Sequence, residues 1–142
     1  MMVSTRGRYA LRVMIDLAEH DNGAYIPLKD IAGRQEISEK YLESIISVLT
    51  KAGFLDGLRG KGGGYRLTRA PENYTVGSVL KLTEGSLAPV ACLGCAPNKC
   101  SRAPECRTLP MWERFQKLTD DFFEGITLGD LAKESGAGDY SI

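Results

Sequence analysis

Long apolar runs, histidine and net charge are what this 142-residue sequence has least of. No stretch approaches the roughly 18 apolar residues of a membrane-spanning helix, so we expect no membrane partner. The amino-terminal residues lack the apolar segment of a secretory signal, which predicts a cytoplasmic protein. The single histidine, His20, is expected at the protein surface. Without a Ser-His-acid set or a phosphate-binding loop, little remains from which to build a catalytic site, and we expect that the protein is not an enzyme.

The balance of charge hides a gradient along the chain. The 18 Lys+Arg and 18 Asp+Glu residues cancel, and taken whole this argues against a nucleic-acid-binding protein, because phosphates attract positive surfaces. Residues 1–70, however, contain 11 basic and 8 acidic side chains, a net charge of +3. Residues 71–142 contain 7 basic and 10 acidic side chains, a net charge of −3. The two halves are therefore expected to have different roles.

Apolar periodicity predicts three helices in the first third of the chain. The first has apolar residues at intervals of three and four over positions 10–18, the spacing of one buried helical face. A short second helix is expected at about residues 28–35, and a third begins after Ser38, a good N-cap, with an apolar stripe over residues 42–49. Two short helices joined by a tight connection form a helix-turn-helix, a motif whose second helix enters the major groove of DNA.

The face of this third helix opposite its apolar stripe carries candidate DNA-contacting residues. Their side chains have the sizes and hydrogen-bonding groups that reach base edges and phosphates from a helix in the major groove. An ordinary solvated face has a similar composition, and the helix by itself does not separate the two interpretations. The candidates are Ser38, Lys40, Tyr41, Glu43 and Ser44.

A basic, glycine-rich hairpin follows and favours DNA binding. Residues 54–58 and 65–68 predict two short strands, which makes the hairpin a wing next to the helix-turn-helix. Glycine lets the backbone approach a phosphate, and arginine is favoured in a narrow minor groove. Arg59 and Lys61 at the tip are therefore candidate DNA contacts. A nucleotide-binding loop is the competing interpretation, but the order of residues that such loops need is missing.

All four cysteines lie within 15 residues, in a proline-rich segment with little predicted helix or strand. Clustered thiols in a reducing compartment are most often metal ligands. By spacing alone, zinc, an iron-sulfur cluster and unligated redox-active thiols all remain open. The spacing is C-x2-C-x4-C-x5-C, formed by Cys92, Cys95, Cys100 and Cys106.

A long helix is predicted from about residue 108 to residue 124, with large apolar side chains at Trp112, Phe115 and Phe122. One small core cannot cover such a seam, which favours packing against a second copy of the chain; folding back onto the first half is the alternative. The expected fold is mainly α with a small β-hairpin wing. Its parts are a winged helix-turn-helix domain (1–84), a cysteine-rich loop (85–107), a dimerisation helix with a short following helix (108–134) and a polar tail (135–142).

The sequence resembles the Rrf2 family of winged-helix transcriptional regulators along nearly its whole length. The resemblance rests on Ser4-Thr5-Arg6-Gly7-Arg8-Tyr9-Ala10, on Ile37-Ser38 with Tyr41-Leu42-Glu43, on Arg59-Gly60 with Gly62-Gly63-Gly64-Tyr65, and on Thr127-Leu128 with Asp130-Leu131. It implies a homodimer joined through the long helix and bound to a near-palindromic operator in double-stranded DNA. Ser38, Tyr41 and Glu43 would then lie near the major groove and Arg59 in the minor groove.

The resemblance also bears on the cysteines. Sensing members of the family hold an iron-sulfur cluster through three cysteines of this loop, which implies a cluster here, with two iron atoms favoured and four possible, and disfavours zinc. Leu109 and Arg8 stand where related proteins place the fourth ligand, so Cys95 or a residue of the partner subunit would complete the set. The three cysteines that are similar in position are Cys92, Cys100 and Cys106.

The end of the chain suggests a second input. Asp139-Tyr140-Ser141-Ile142 is similar to tails that insert into cysteine synthase, a contact of family members that repress cysteine metabolism. Cysteine synthase is therefore a candidate partner, with Tyr140 and Ile142 as the contacting residues. A disordered tail without a partner is the alternative.

Overall fold

The computed structural model describes residues 3–94, 98 and 100–133, which form six α-helices and one two-stranded antiparallel sheet. No helix among these residues is long and apolar enough to cross a membrane. The predicted mainly α fold with a hairpin wing is confirmed. The elements are α1 (Thr5–Glu19), α2 (Leu28–Gln35), α3 (Glu39–Lys51), β1 (Leu55–Leu58), β2 (Gly64–Leu67), α4 (Val76–Glu84), α5 (Leu109–Glu124) and α6 (Leu128–Lys133).

Local sequence signals define the helix-turn-helix. The Ser38 hydroxyl accepts a hydrogen bond from the Tyr41 N–H at 3.2 Å and so caps α3, as predicted. Between α2 and α3 the chain reverses through Glu36, whose φ of 55° lies in the left-handed region, and through the buried Ile37. This three-residue connection, residues 36–38, sets the angle at which α3 leaves α2.

The apolar stripes of α1 and α3 meet in one core. Val13 and Met14 of α1 and Leu42 and Ile45 of α3 are completely buried, and burial of each such side chain contributes about 1.5–3 kcal/mol. From the other end of the chain, α6 adds Leu128 to the same cluster. Because the apolar stripe of α3 is held in this core, its polar face is turned to solvent.

The hairpin is anchored at its base. Ile26 and Tyr65 exchange two backbone hydrogen bonds of 2.8 Å, which extend the sheet by one bridge. Between this bridge and the tip, Gly64 has a φ of 152°, and a Cβ there would overlap the Ile26 carbonyl oxygen. The buried Tyr74 donates its hydroxyl proton to the Phe54 carbonyl oxygen at 2.7 Å and so ties the end of the hairpin to its start. The base of the wing is thus held in place.

The end of α5 is fixed to the same domain. The N–H of Val76 donates to the carbonyl oxygen of Ile126 at 2.8 Å, and that of Leu128 to the carbonyl oxygen of Tyr74 at 3.0 Å. A short antiparallel pairing thus joins the segment after α5 to the segment before α4. As a result, α5 starts at the cysteine loop and ends on the winged helix-turn-helix core.

Candidate nucleic-acid interface and cysteine loop

The predicted contact residues of α3 lie on its solvent-facing side. Lys40, Glu43 and Ser44 are exposed, and Tyr41 is 39% exposed. Ser38 is also exposed, but its hydroxyl serves as the helix cap, so it can reach a ligand only with its remaining lone pair or its proton. The side chains at the start of α3 thus form one polar surface around a single aromatic ring.

At the wing, the structure separates two kinds of basic residue. Arg59 and Lys61 are exposed and have no ion-pair partner among the described residues. Arg66, in contrast, pairs with Asp56 at 3.2 Å and lies over the Tyr25 ring at 4.3 Å. Arg69, further along the chain, stacks on aromatic rings at the base of the hairpin. Two of the four basic side chains of this segment therefore stabilise the wing, and two at its tip are available for a ligand.

A groove runs between α3 and the wing. The Glu43 and Arg59 side chains line its opposite sides, and Ser47 and Lys51 extend the helical side by two further turns. Leu58, at the edge of the wing, is 49% exposed and adds an apolar patch. The groove places hydrogen-bonding groups on one wall and an arginine on the other, the arrangement of a helix that reads one DNA groove while a hairpin enters the next.

A buried carboxylate that the sequence analysis missed holds α2 against α1. Asp16 accepts hydrogen bonds from Arg34 at 2.7 and 3.0 Å and from Gln35 at 2.9 Å, and its side chain is 1% exposed. The available signal was an acidic residue at the edge of the first helix's apolar stripe. Its partners were not predictable, because they lie 18 and 19 residues away in a different helix.

The described cysteines lie in the irregular segment between α4 and α5. Cys92 and Cys106 are half-buried, Cys100 is exposed, and all three are free thiols. Hydrogen bonds from the Thr108 hydroxyl, at 3.4 Å, and from the backbone N–H groups of Thr108 and Leu109 lower the pKa of Cys106. Such surroundings favour a thiolate, the form that binds metals. Cys95 lies outside the described residues, as do Tyr140 and Ile142.

The chemistry of the thiol donors fits an iron-sulfur cluster, because thiolates are the usual ligands of such clusters. Their arrangement is open: within residues 3–94, 98 and 100–133, no three His, Cys, Asp or Glu side chains converge on a point that a metal ion could occupy. Among these cysteines, Cys106 lies nearest to α5, two residues before the N-cap residue Thr108. The end of the cysteine loop is therefore adjacent to the start of this helix.

Helix α5 has one covered and one uncovered face. Phe123 packs against the small apolar cluster of α4, and Trp112, one of the predicted dimerisation residues, is half-buried. The other two, Phe115 and Phe122, belong to an exposed stripe with a spacing of four, three and four residues. The exposed stripe consists of Met111, Phe115, Leu118 and Phe122, which are 52%, 41%, 69% and 62% exposed.

A polar contact holds the carboxyl-terminal half of α5 on α4. Glu124 accepts a hydrogen bond from the Thr75 hydroxyl at 2.8 Å and from the Lys81 ammonium group at 3.2 Å. The Thr75 hydroxyl first, and Lys81 in addition, lower the pKa of the Glu124 carboxyl. Lys81 also lies 3.5 Å from Asp120. These contacts join the carboxyl-terminal half of α5 to the winged helix-turn-helix domain.

Comparisons with known families, sequences and structures all match regulators of one kind. Residues 3–134 match the family described as "Rrf2: Iron-dependent Transcriptional regulator". The HTH-type transcriptional regulator IscR of Vibrio campbellii is 37% identical over 135 residues, which is 95% of this chain and 79% of that protein. The structure of T. potens IscR has a TM-score of 0.75 and 35% identity and covers 100% of this chain and 93% of its own. The structure of CymR (YrzC), the global cysteine regulator of B. subtilis, has a TM-score of 0.75 and 33% identity and covers 93% of this chain and 96% of its own.

Proposed function

The chain belongs to the Rrf2 family of transcriptional regulators, and we propose that it acts as a homodimer that binds operator DNA and senses iron-sulfur cluster status through its cysteine loop. The observation that carries DNA binding is the groove between α3 and the wing, with Glu43 on one wall and Arg59 on the other. The overall charge of zero is no obstacle, because the positive charge is concentrated in residues 1–70.

Docking follows from the shape of this surface. The start of α3 enters the major groove, where Lys40, Tyr41, Glu43 and Ser44 reach base edges or phosphates. The wing then reaches the adjacent minor groove with Arg59. In a two-fold symmetric dimer the two copies of this surface read a near-palindromic operator. The exposed stripe of α5 supports such a dimer, since four large apolar side chains with this spacing form one seam of a coiled coil.

Separate replacement of the two basic residues at the wing tip by alanine tests the DNA-binding proposal. Arg59→Ala is expected to cost about 1–3 kcal/mol per half-site and to relax the sequence preference at the minor-groove positions. Lys61→Ala, which removes the same charge two residues away, is expected to weaken binding to all sequences alike and to lower the salt dependence. Fluorescence anisotropy with a duplex selected from a random library measures both. Equal affinity and preference in wild type and Arg59→Ala would contradict the wing assignment.

Sensing is assigned to the loop because it contains the thiols and leads directly into α5. Cys92, Cys100 and Cys106 are the proposed ligands, with Cys95 or a residue of the partner subunit as the fourth. When bound, a cluster supplies a centre that responds to iron and to oxidants. The loop leads into the start of α5, whereas Glu124 holds the other end of this helix on α4. A change of loop conformation is therefore expected to change the tilt of α5 and with it the spacing of the two DNA-reading surfaces.

Absorption spectroscopy with metal analysis tests the sensing proposal. Wild-type protein made without air and with iron supplied is expected to show visible charge-transfer absorption, and Cys92→Ala, Cys100→Ala and Cys106→Ala are each expected to lose it. Cys95→Ala is the matched comparison: loss of absorption identifies it as the fourth ligand, and retention assigns that position to the partner subunit. A colourless wild-type protein that contains zinc would overturn the cluster proposal.

A second candidate is a repressor of cysteine metabolism that is controlled by cysteine synthase or by thiol oxidation. Two observations favour it, the similarity to CymR and the tail Asp139-Tyr140-Ser141-Ile142. On this proposal, deletion of residues 140–142 abolishes binding to cysteine synthase, measured by calorimetry, and leaves DNA binding intact. Unchanged binding after deletion, or none in the wild type, excludes the tail as the contact.

A further inference from the structure

A continuous chain of side-chain contacts runs from the buried core to the DNA-reading surface. It starts at Asp16, whose carboxylate accepts a hydrogen bond from the Gln35 amide at 2.9 Å. The carbonyl oxygen of that amide accepts a hydrogen bond from the Arg12 Nε at 3.1 Å. Arg12 also donates from Nη2 to the Gln35 backbone carbonyl oxygen. Two bonds to one residue hold the plane of the Arg12 guanidinium in a defined orientation.

The chain continues through two aromatic rings. The Arg12 guanidinium lies over the Tyr9 ring, 5.0 Å from its centroid, within the range of a cation–π contact. The Tyr9 ring in turn meets the Tyr41 ring edge-on, with the centroids 5.8 Å apart and the planes at 81°. Tyr41, at the end of this chain of contacts, lies on the DNA-reading surface. Arg12 thus lies two contacts behind the aromatic side chain that α3 presents to a ligand.

Tyr41 is a side chain that gains from such support. It is 39% exposed, and an unsupported ring at this position would exchange between rotamers in the free protein. Fixing one rotamer on binding costs roughly 0.5–1.5 kcal/mol for a flexible side chain. A ring already held against Tyr9 avoids most of that cost and contacts the bases from one direction. Orientation of this ring therefore bears on which sequences bind well.

We infer that Arg12 is a positioning residue for sequence recognition: through Tyr9 it presets the orientation of the Tyr41 ring. This inference rests on the proposed function, since it assigns Tyr41 a role in reading DNA. It differs from a direct role, in which the exposed Arg12 would bind a phosphate. A phosphate contact adds affinity for every sequence and raises the salt dependence, whereas a positioning residue acts on the preference for one sequence over another.

Binding to two duplexes separates these roles. One is the preferred sequence selected from a random library, and the other is its scrambled counterpart. Arg12→Ala is expected to lower the ratio of the two affinities by about two- to fivefold, the size of an exposed cation–π contact, with the slope of log K against log salt unchanged. In a Tyr41→Ala background the same change is expected to have no further effect on the ratio. Arg12→Lys keeps the charge but not the planar guanidinium and is expected to resemble Arg12→Ala.

The matched control is Arg8→Ala, which removes the same charge one turn away on the same helix. Its guanidinium bonds only to the Thr5 hydroxyl among the described residues, so the affinity ratio should stay at the wild-type value. Three results would each overturn the inference. The first is an equal loss of affinity for both duplexes in Arg12→Ala, together with a smaller salt slope. The others are a wild-type affinity ratio in Arg12→Lys and additive effects of the Arg12 and Tyr41 substitutions.

A measurement without DNA keeps the inference separate from the proposed function. The ring resonances of Tyr41 in the free protein, assigned by comparison with Tyr41→Phe, are expected to shift in Arg12→Ala and to stay in place in Arg8→Ala. If the wild type does not distinguish the two duplexes, the proposed role in reading DNA fails, and a shifted ring resonance still establishes the contact. An unshifted resonance overturns the positioning role whatever the DNA result.

Discussion

Leu118→Asp is expected to make the protein monomeric and to weaken operator binding at least about 100-fold. Leu118 is 69% exposed in the single chain and lies in the middle of the exposed stripe of α5, so its replacement removes little from the fold of one protomer. In the proposed dimer the same residue lies in the apolar seam, and two-fold symmetry would place two carboxylates there. Desolvation of these charges opposes association strongly.

The loss of affinity follows from linkage rather than from any DNA contact. In a dimer, binding of the first half-site raises the effective concentration of the second reading surface, and such linkage increases affinity by about 100- to 10,000-fold. A monomer loses this factor while each winged helix-turn-helix domain keeps its own affinity for a half-site. Sedimentation velocity gives the oligomeric state, and anisotropy with full and half operators gives the two affinities.

Lys117→Asp is the matched control for this prediction. It introduces the same acidic residue one position earlier, about 100° around the helix and off the exposed stripe. It also removes an ion pair in which the Lys117 ammonium group lies 2.8 Å from the Asp121 carboxylate. Because the two side chains are 76% and 66% exposed, loss of this pair costs little stability. This variant should remain dimeric. A dimeric Leu118→Asp protein would show that the seam lies elsewhere.

Asp16→Ala is expected to lower the free energy of unfolding by about 2–4 kcal/mol. The change leaves Arg34 and Gln35 without their acceptor at a position where the carboxylate is 1% exposed. Arg34 is 35% exposed and can turn to water, which sets the expected loss below that of a fully buried pair. Because these bonds join α2 to α1, the orientation of the helix-turn-helix is expected to loosen along with the loss of stability.

Denaturant unfolding at one fixed protein concentration measures this effect, since the stability of a dimer depends on concentration. Glu19→Ala removes an exposed carboxylate from the last turn of the same helix and should change stability by less than about 0.5 kcal/mol. Asp16→Asn keeps the shape and one acceptor and is expected to fall between the two. A loss in Asp16→Ala no larger than that in Glu19→Ala would show that the buried bonds add nothing net.

Prediction from the sequence succeeded where the signal is local. The cap at Ser38 and the apolar stripe of α3 follow from neighbouring residues, and both are present in the structure. The sequence did not specify which side chains of distant segments meet. Arg59 and Arg66 are equivalent in the sequence as basic residues of one hairpin, yet Arg66 is paired with Asp56 and only Arg59 is available.

The zero net charge also has one part that the sequence determines, its uneven distribution along the chain, and one part that only the structure shows, the ion pairs of individual side chains. By itself the sequence determined the helices, the hairpin, the uneven distribution of charge and the run of cysteines, because periodicity, capping and composition act over a few residues. Only the tertiary structure decided which basic side chains remain free, which face of α5 is uncovered, and that Arg12 connects the buried Asp16 to the exposed Tyr41. These features depend on which side chains from separate helices come into contact, and packing of the whole chain determines that.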